Sequence, residues 1–123
     1  RYFIPLMNKN EKSVIAFLSA RVGSISDNSL GGWYSYRSSK TALNQIVKNF
    51  SIELKRTNKN AIALALQPGT VESKFSEPFK KNVLKDKLFT PDYSVELLSQ
   101  VIEGSSVNES GSLLSYDGEI IKP

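Results

Sequence analysis

The sequence predicts an α/β fold built on a parallel sheet, and three observations carry that prediction. Two short apolar runs, residues 13–19 and 61–66, have the composition of strands that are buried on both faces. A long segment with helical periodicity lies between them, from about residue 33 to residue 57. Strand, helix and strand in this order form a βαβ unit, so the two strands should be parallel.

The first half of the chain supports this assignment element by element. Residues 1–7 look like the end of an element, and residues 8–12 form a polar turn. A Ser- and Gly-rich loop, residues 20–32, leaves the carboxyl end of the first strand, where ligands bind in open α/β sheets. The helix should face the core with apolar side chains at three- and four-residue steps: Leu43, Val47, Phe50 and Leu54.

The second half predicts one more helix and one more strand. Gln67-Pro68-Gly69 should end the second strand, and residues 70–89 are expected to be irregular, with one or two short helices in a lid or substrate loop. Thr90-Pro91-Asp92 has the pattern of a helix start, and Gly104 that of a helix end. Residues 111–116 are a third strand candidate, and the tail 119–123 is expected to fold back over the surface. We expect one partial domain over residues 1–123.

Composition excludes several functional classes. The 123 residues contain no cysteine and no histidine, so disulfides, structural zinc sites and histidine-based nucleophilic triads are excluded, and no metal site is predicted. The net charge of +4 comes from lysines scattered along the chain, which indicates a solvated surface rather than nucleic-acid binding. No apolar run approaches the roughly 20 residues that span a bilayer. Acid–base chemistry must therefore use Tyr, Lys, Asp or Glu.

Tyr36 and Lys40 stand out because they head the apolar stripe of the long helix. Four residues apart on one helical face, they place a phenol beside an ammonium, which should lower the pKa of the phenol. Such a pair could donate or accept the proton of a carbonyl or alcohol. The alternative is a half-buried tyrosine beside a lysine that reaches for solvent. Trp33 and Tyr34 are expected to pack in a core or dimer interface, with stacking on a ligand as the alternative.

These residues occur in a specific combination of motifs. The combination consists of Gly23-Ser24-Ile25, Gly31-Gly32, Tyr34-Ser35-Tyr36-Arg37, Ser39-Lys40, Pro68-Gly69-Thr70-Val71 and Tyr116-Asp117-Gly118. The sequence resembles the C-terminal half of a short-chain dehydrogenase/reductase, and it is most similar to the C-factor-like branch of that family. The resemblance covers nearly the whole chain. It implies a Rossmann-type parallel sheet of which only the C-terminal half is present, without the first βαβ unit that binds the cofactor.

The resemblance also implies roles for individual residues. Tyr36 would donate the proton to the substrate carbonyl, and Lys40 would bind the nicotinamide ribose and lower the Tyr36 pKa. The turn at Pro68 and Gly69, the Val71 backbone and Ser73 would face the nicotinamide carboxamide, which completes the expected cofactor contacts. Phe75 would belong to a substrate loop.

Two features depart from the family pattern. Ala20 stands where the family usually has a substrate-orienting serine. Ser24 could replace it as a catalytic hydroxyl, and Ser19 is a substrate-binding candidate although its strand position should turn it the other way. Ordinary hydrogen bonds within the loop are the alternative for both serines. The glycine-rich turn that holds the cofactor pyrophosphate has no counterpart in these residues. An NAD or NADP cofactor would therefore require the missing N-terminal half, and the sequence does not discriminate between the two.

Two functions follow as alternatives. The first is an NAD(P)-dependent oxidoreductase that transfers hydride between the cofactor and a small carbonyl or alcohol substrate, with the 123-residue chain alone inactive. The second is a non-enzymatic, C-factor-like signalling or interaction fragment. A homo-dimer or tetramer through the long helix and a cytoplasmic location are further expectations of the resemblance.

Overall fold

The computed structural model describes residues 2–74, 76–77 and 88–123. In chain order its helices and strands are β1 (Ser13–Leu18), α1 (Tyr34–Thr57), β2 (Ala61–Gln67), β3 (Thr70–Val71), β4 (Leu88–Phe89), α2 (Pro91–Gly104), β5 (Leu113–Ser115) and β6 (Ile120–Ile121). One sheet has the strand order β1-β2-β5-β6. Its first three strands are parallel, and β6 runs antiparallel to β5. The predicted α/β fold with a parallel sheet is confirmed.

Strand β2 separates two apolar layers, as expected for a strand that is buried on both faces. Its alanines belong to the layer beneath α1, whereas Ile62, Leu64 and Leu66 belong to the layer beneath α2. Because alanine is small, it lets the backbone of the long helix approach the sheet closely, and the larger side chains fill the opposite layer. The alanines are Ala61, Ala63 and Ala65.

Helix α1 packs on the sheet through the stripe that the sequence predicts. Val47 and Leu54 are buried, and Leu43 and Phe50 pack against the same cluster while partly exposed. The ring of Phe50 meets the ring of Phe17 from β1 edge-on, at a centroid distance of 6.2 Å. The helical period therefore places this stripe against the sheet, and Tyr36 and Lys40 continue it toward the carboxyl end of β1.

Helix α2 begins and ends at the predicted signals. The Thr90 side chain accepts a hydrogen bond from the Tyr93 backbone N–H at 3.3 Å, and Pro91 occupies the first helical position. At the other end, the Lys12 ammonium donates to the carbonyl of Glu103 at 2.5 Å, where a positive charge suits the helix dipole. Within the described part of the chain, no helix is both long and apolar enough to cross a bilayer.

Two expectations for the chain ends require correction. The tail does not merely cover the surface, because Ile120 and Ile121 form β6 and extend the sheet, with Ile121 in the core. Near the N-terminus, Ile4–Leu6 is a 3₁₀ helix, and Ile4 packs against the α1 layer. Apolar side chains in both ends explain the difference, since burying them against the sheet is favourable.

The stretch 70–89 is only partly irregular. Strands β3 and β4 pair in parallel as a separate two-stranded sheet, with Thr70 opposite Leu88 and Val71 opposite Phe89. Residues 75 and 78–87 lie outside the described part of the chain, so the short helices expected there are not tested. The strand pair itself was missed because two-residue strands carry no periodicity.

A 3₁₀ helix at Arg21–Gly23 packs directly against α1, and this contact requires a glycine. A Cβ atom on Gly23 would lie 2.8 Å from the backbone carbonyl carbon of Lys40 and 2.8 Å from Nδ2 of Asn44. Because a helix backbone cannot yield as a flexible side chain can, a side chain at Gly23 would push the loop away from the helix.

We expect Gly23→Ala to lower the free energy of unfolding by about 1–3 kcal/mol, the usual range for overpacking. Urea denaturation of the 123-residue chain measures the loss. Gly104→Ala is the matched control, because a Cβ at Gly104 would meet no atom within 4 Å. The control should change stability by less than about 0.5 kcal/mol. Equal stabilities of the two variants would contradict the close contact at Gly23.

Candidate active site

Tyr36 and Lys40 lie on successive turns of α1, both half-buried, at the carboxyl end of β1. The Lys40 ammonium donates a hydrogen bond to the backbone carbonyl of Leu18 at 3.0 Å, and Leu18 is the last residue of β1. The same ammonium lies 5.8 Å from the ring centre of Tyr36. The structure therefore brings the predicted pair together at the sheet edge where α/β folds bind ligands.

Burial raises the pKa of the Tyr36 hydroxyl above its ordinary value. The expectation of a lowered Tyr36 pKa is wrong for the described structure, because desolvation outweighs the effect of the Lys40 charge. Desolvation penalises the phenolate, whereas the ammonium is directed to the Leu18 carbonyl. Tyr36 therefore keeps its proton at neutral pH, the form that a proton donor requires.

Arg37 anchors the glycine-containing loop that precedes α1. Its Nε atom donates to the carbonyls of Gly31 and Gly32 at 3.2 and 3.1 Å, and Nη1 donates to the carbonyl of Val22 at 3.4 Å. One side chain thus holds two segments of the loop against the first turn of the helix. This role of Arg37 was not predicted from the sequence, although a planar group with five donors near a glycine pair is a usable signal.

Ser19 makes a structural hydrogen bond, which argues against its replacing the serine that the family usually has at the position of Ala20. Its side chain is buried, and its hydroxyl donates to Oδ1 of Asn44 at 2.6 Å. The alternation of side chains along an extended strand turns Ser19 toward α1 and away from a substrate. Asn44 was also missed, although it follows Lys40 by one helical turn and so lies on the same face.

Ser24 is likewise committed to structural hydrogen bonds. The buried hydroxyl donates to the carbonyl of Lys122 at 2.5 Å and accepts from the backbone N–H of Asp27 at 3.1 Å. These bonds tie the loop after β1 to the C-terminal tail. They favour a structural role for Ser24 over the predicted catalytic one.

Pro68 and Gly69 lie directly after β2, the strand that pairs with β1. The Ser94 hydroxyl of α2 donates to the Pro68 carbonyl at 2.8 Å, which fixes the turn to that helix. Gly69 has a φ of 78°, and a Cβ there would lie 2.6 Å from the ring of Phe89, so only glycine fits. The Phe89 ring in turn meets the ring of Tyr116 edge-on, with centroids 4.8 Å apart.

The remaining predicted site residues lie beyond this turn. Val71 is in β3, and its carbonyl accepts a hydrogen bond from the Ser76 hydroxyl at 2.6 Å. Ser73 donates its backbone N–H to the same hydroxyl at 3.0 Å, so the three residues form a local turn. Their contact with a carboxamide stays a prediction. Phe75, the predicted substrate contact, lies outside the described residues.

Comparison with known proteins shows relatives in one enzyme family. An uncharacterized oxidoreductase of Schizosaccharomyces pombe is 30% identical over 129 residues, which span 97% of this chain and 50% of the relative. The NADPH-bound carbonyl reductase from chicken fatty liver superimposes with a TM-score of 0.76 at 29% identity, covering 91% of this chain and 43% of that one. No protein-family model matches the chain.

The chain is a relative of the short-chain dehydrogenases/reductases. The C-signal protein of Myxococcus xanthus, also similar, is 31% identical over 115 residues, covering 94% of this chain and 64% of that protein. The chain spans about half the length of the first two proteins and somewhat under two thirds of C-signal. The predicted resemblance to the C-terminal half of a short-chain dehydrogenase/reductase is thereby confirmed.

We expect the Tyr36 hydroxyl of this short-chain dehydrogenase/reductase relative to titrate above pH 10.0, its reference value. The difference in ultraviolet absorbance between the unmodified chain and its Tyr36→Phe variant isolates that phenol during a pH titration. The raised pKa also means that Tyr36 stabilises the fold below its reference value and loses this contribution as pH rises through the folded value. A midpoint below 10.0 would show that a positive charge, not burial, controls the group.

Ser24→Ala should lower the free energy of unfolding by about 0.5–1.5 kcal/mol, because the buried Ser24 hydroxyl no longer donates to the Lys122 carbonyl. Ser99→Ala is the control, since Ser99 makes an exposed bond to the Val95 carbonyl within α2. Urea denaturation compares the two variants. A loss of carbonyl reduction in the complete protein carrying Ser24→Ala, without any loss of stability, would instead support the catalytic assignment.

Proposed function

We propose that this chain supplies the proton-donating half of an NAD(P)-dependent oxidoreductase that interconverts a small carbonyl compound and its alcohol. The arrangement of Tyr36 and Lys40 carries the proposal. The phenol and the ammonium are on successive turns of one helix, and the ammonium is fixed to the last carbonyl of β1. Relatives that are oxidoreductases and carbonyl reductases support the reaction class.

Tyr36 acts as a general acid in the direction of reduction. Its hydroxyl donates a proton to the carbonyl oxygen as the carbonyl carbon receives a hydride, and the product is the alcohol. Because burial raises its pKa, the hydroxyl is protonated before the reaction at neutral pH. Transfer leaves a phenolate, which solvent then reprotonates.

Lys40 favours that transfer by its charge. A positive group on the adjacent helical turn stabilises the phenolate more than the neutral phenol, so its effect is largest as negative charge develops. The bond to the Leu18 carbonyl fixes the ammonium in advance, which avoids reorganisation during the reaction. Lys40 is thus both a positioning and an electrostatic group.

The described residues fit one end of a nicotinamide cofactor, which supplies the hydride when bound. The Lys40 ammonium carries three protons and directs one to Leu18, so it retains donors for ribose hydroxyls. Gly69 and Val71 follow the neighbouring strand end and would receive the carboxamide. The glycine-containing loop that joins β1 to α1 is long and carries a 3₁₀ helix, so it differs from the tight strand-turn-helix that holds a pyrophosphate. Only the nicotinamide end of the cofactor is therefore assigned to these residues.

The outer side of α1 supports association of two copies through this helix. Tyr34 and Ile52 are 84% and 46% exposed, and the helical period places both on the side opposite the sheet. Burying such side chains against a second helix is favourable. We propose a homo-dimer or tetramer on this basis, and a cytoplasmic site of action by likeness to the family.

The second candidate is a C-factor-like signalling or interaction role without catalysis. The similarity to the C-signal protein of Myxococcus xanthus favours it. In that case the outer side of α1 would be the functional surface, and Tyr36 could be replaced without consequence for the role.

Tyr36→Phe should reduce the rate of carbonyl reduction by about 10²–10⁴-fold, because the proton donor is removed. Lys40→Met should reduce the rate by about tenfold or more, since the phenolate loses its neighbouring charge. Oxidation of NADPH and of NADH by the complete protein, in the presence of a panel of aldehydes and ketones, measures both effects. Tyr34→Phe, two residues from Tyr36 and strongly exposed, is the matched control.

Two results would decide against this proposal. The first is a complete protein that oxidises neither cofactor with any carbonyl compound. The second is a Tyr36→Phe variant as active as the Tyr34→Phe control. Either result, together with dimers that Ile52→Glu disrupts, would support the interaction role.

A further inference from the structure

Trp33 has a backbone conformation that its side chain disfavours. Its φ of 50° and ψ of 40° are left-handed, and no other non-glycine residue in the described ranges has a positive φ. The two preceding glycines are also left-handed, with φ values of 64° and 67°. Non-glycine residues in this region are strained and persist only where their surroundings fix them, most often at functional sites.

The surroundings of Trp33 fix it from both sides. Its carbonyl accepts the backbone N–H of Arg37 at 2.9 Å, the first hydrogen bond of α1. The Arg37 side chain donates to the carbonyls of Gly31 and Gly32, and the Gly31 N–H donates to Oδ1 of Asn28 at 3.0 Å. These hydrogen bonds fix the backbone on both sides of Trp33, and so they fix the position from which the indole side chain extends.

The indole is placed beside the candidate proton donor and not in the core. Its ring centre lies 6.4 Å from that of Tyr36, with the planes inclined by 57°. Trp33 remains 50% exposed, and therefore the expectation of core packing is wrong. A large apolar surface thus stands next to the Tyr36 phenol and reaches solvent on the side of the loop.

We propose that Trp33 determines substrate specificity by stacking on a planar substituent of the carbonyl compound. This inference rests on the proposed reduction at Tyr36 and names its substrate class: aldehydes and ketones whose carbonyl carbon bears an aromatic or conjugated group. A flat ring attached to that carbon would lie within reach of the indole while the carbonyl oxygen meets the Tyr36 hydroxyl. Aromatic rings in offset or tilted contact gain stabilisation beyond that of apolar burial.

Two ketones of similar size test the proposal in the complete protein. Acetophenone carries a planar ring, and cyclohexyl methyl ketone carries a puckered one of the same carbon count. Trp33→Gly removes the indole and suits the left-handed backbone, so loss of folding is not expected. It should raise KM and lower kcat/KM about fivefold for acetophenone, and change both by less than about twofold for the cyclohexyl ketone.

Two further variants distinguish an effect of the Trp33 ring from a general effect of substitution on the fold. Trp33→Phe keeps a flat ring and should restore most of the preference for acetophenone. Leu30→Ala, which removes a more exposed apolar side chain of the same loop, should leave both ketones unchanged. Equal losses for the two ketones in Trp33→Gly would overturn the specificity role while leaving the proposed reduction intact.

A binding measurement covers the case in which no carbonyl compound is reduced. Trp33 is the only tryptophan in the chain, and its indole N–H signal in an NMR spectrum is assigned by its disappearance in Trp33→Phe. Acetophenone should shift this signal at concentrations where cyclohexyl methyl ketone does not. A shift without turnover would reject the proposed reduction and retain the aromatic site. No shift, or the same shift with both ketones, would overturn the site.

Discussion

The close approach of α1 to the parallel sheet is the constraint on which the candidate site depends. Alanines on one face of β2 and the glycine at position 23 remove the side chains that would hold the helix away. Only at that separation does the Lys40 ammonium reach the Leu18 carbonyl at the end of β1. Packing thus sets the distance between the helix and the sheet, and that distance determines where the Lys40 ammonium lies relative to Tyr36.

The loop between β1 and α1 is held by hydrogen bonds rather than by an apolar core. Arg37 binds the carbonyls of its glycines, and Ser24 joins it to the C-terminal tail. Many of its side chains are exposed, so a site of this kind can vary its lining without loss of the fold. The hydroxyls of Ser19 and Ser24, which the sequence places near a substrate site, donate hydrogen bonds within the protein.

Burial and charge act on Tyr36 in opposite senses. Desolvation raises the pKa of its phenol, so the group keeps its proton at neutral pH. The Lys40 ammonium, 5.8 Å from the ring centre, favours the phenolate. In the proposed reduction, the protonated phenol is the starting form, and the ammonium stabilises the charge that proton transfer leaves behind.

The sequence by itself determined the βαβ order, the apolar stripe of α1 and the position of Tyr36 and Lys40 on one face of that helix. It also determined the start of α2 at Thr90. These are local properties, repeated over many residues, and a chain cannot satisfy them in another way at lower free energy. Only the tertiary structure decided that Ser19 and Ser24 are committed to Asn44 and Lys122, and that the tail forms β6. The tertiary structure also decided that burial has a larger effect on the Tyr36 pKa than Lys40 has. Burial depends on segments that are far apart in the chain, so the sequence pattern does not reveal it.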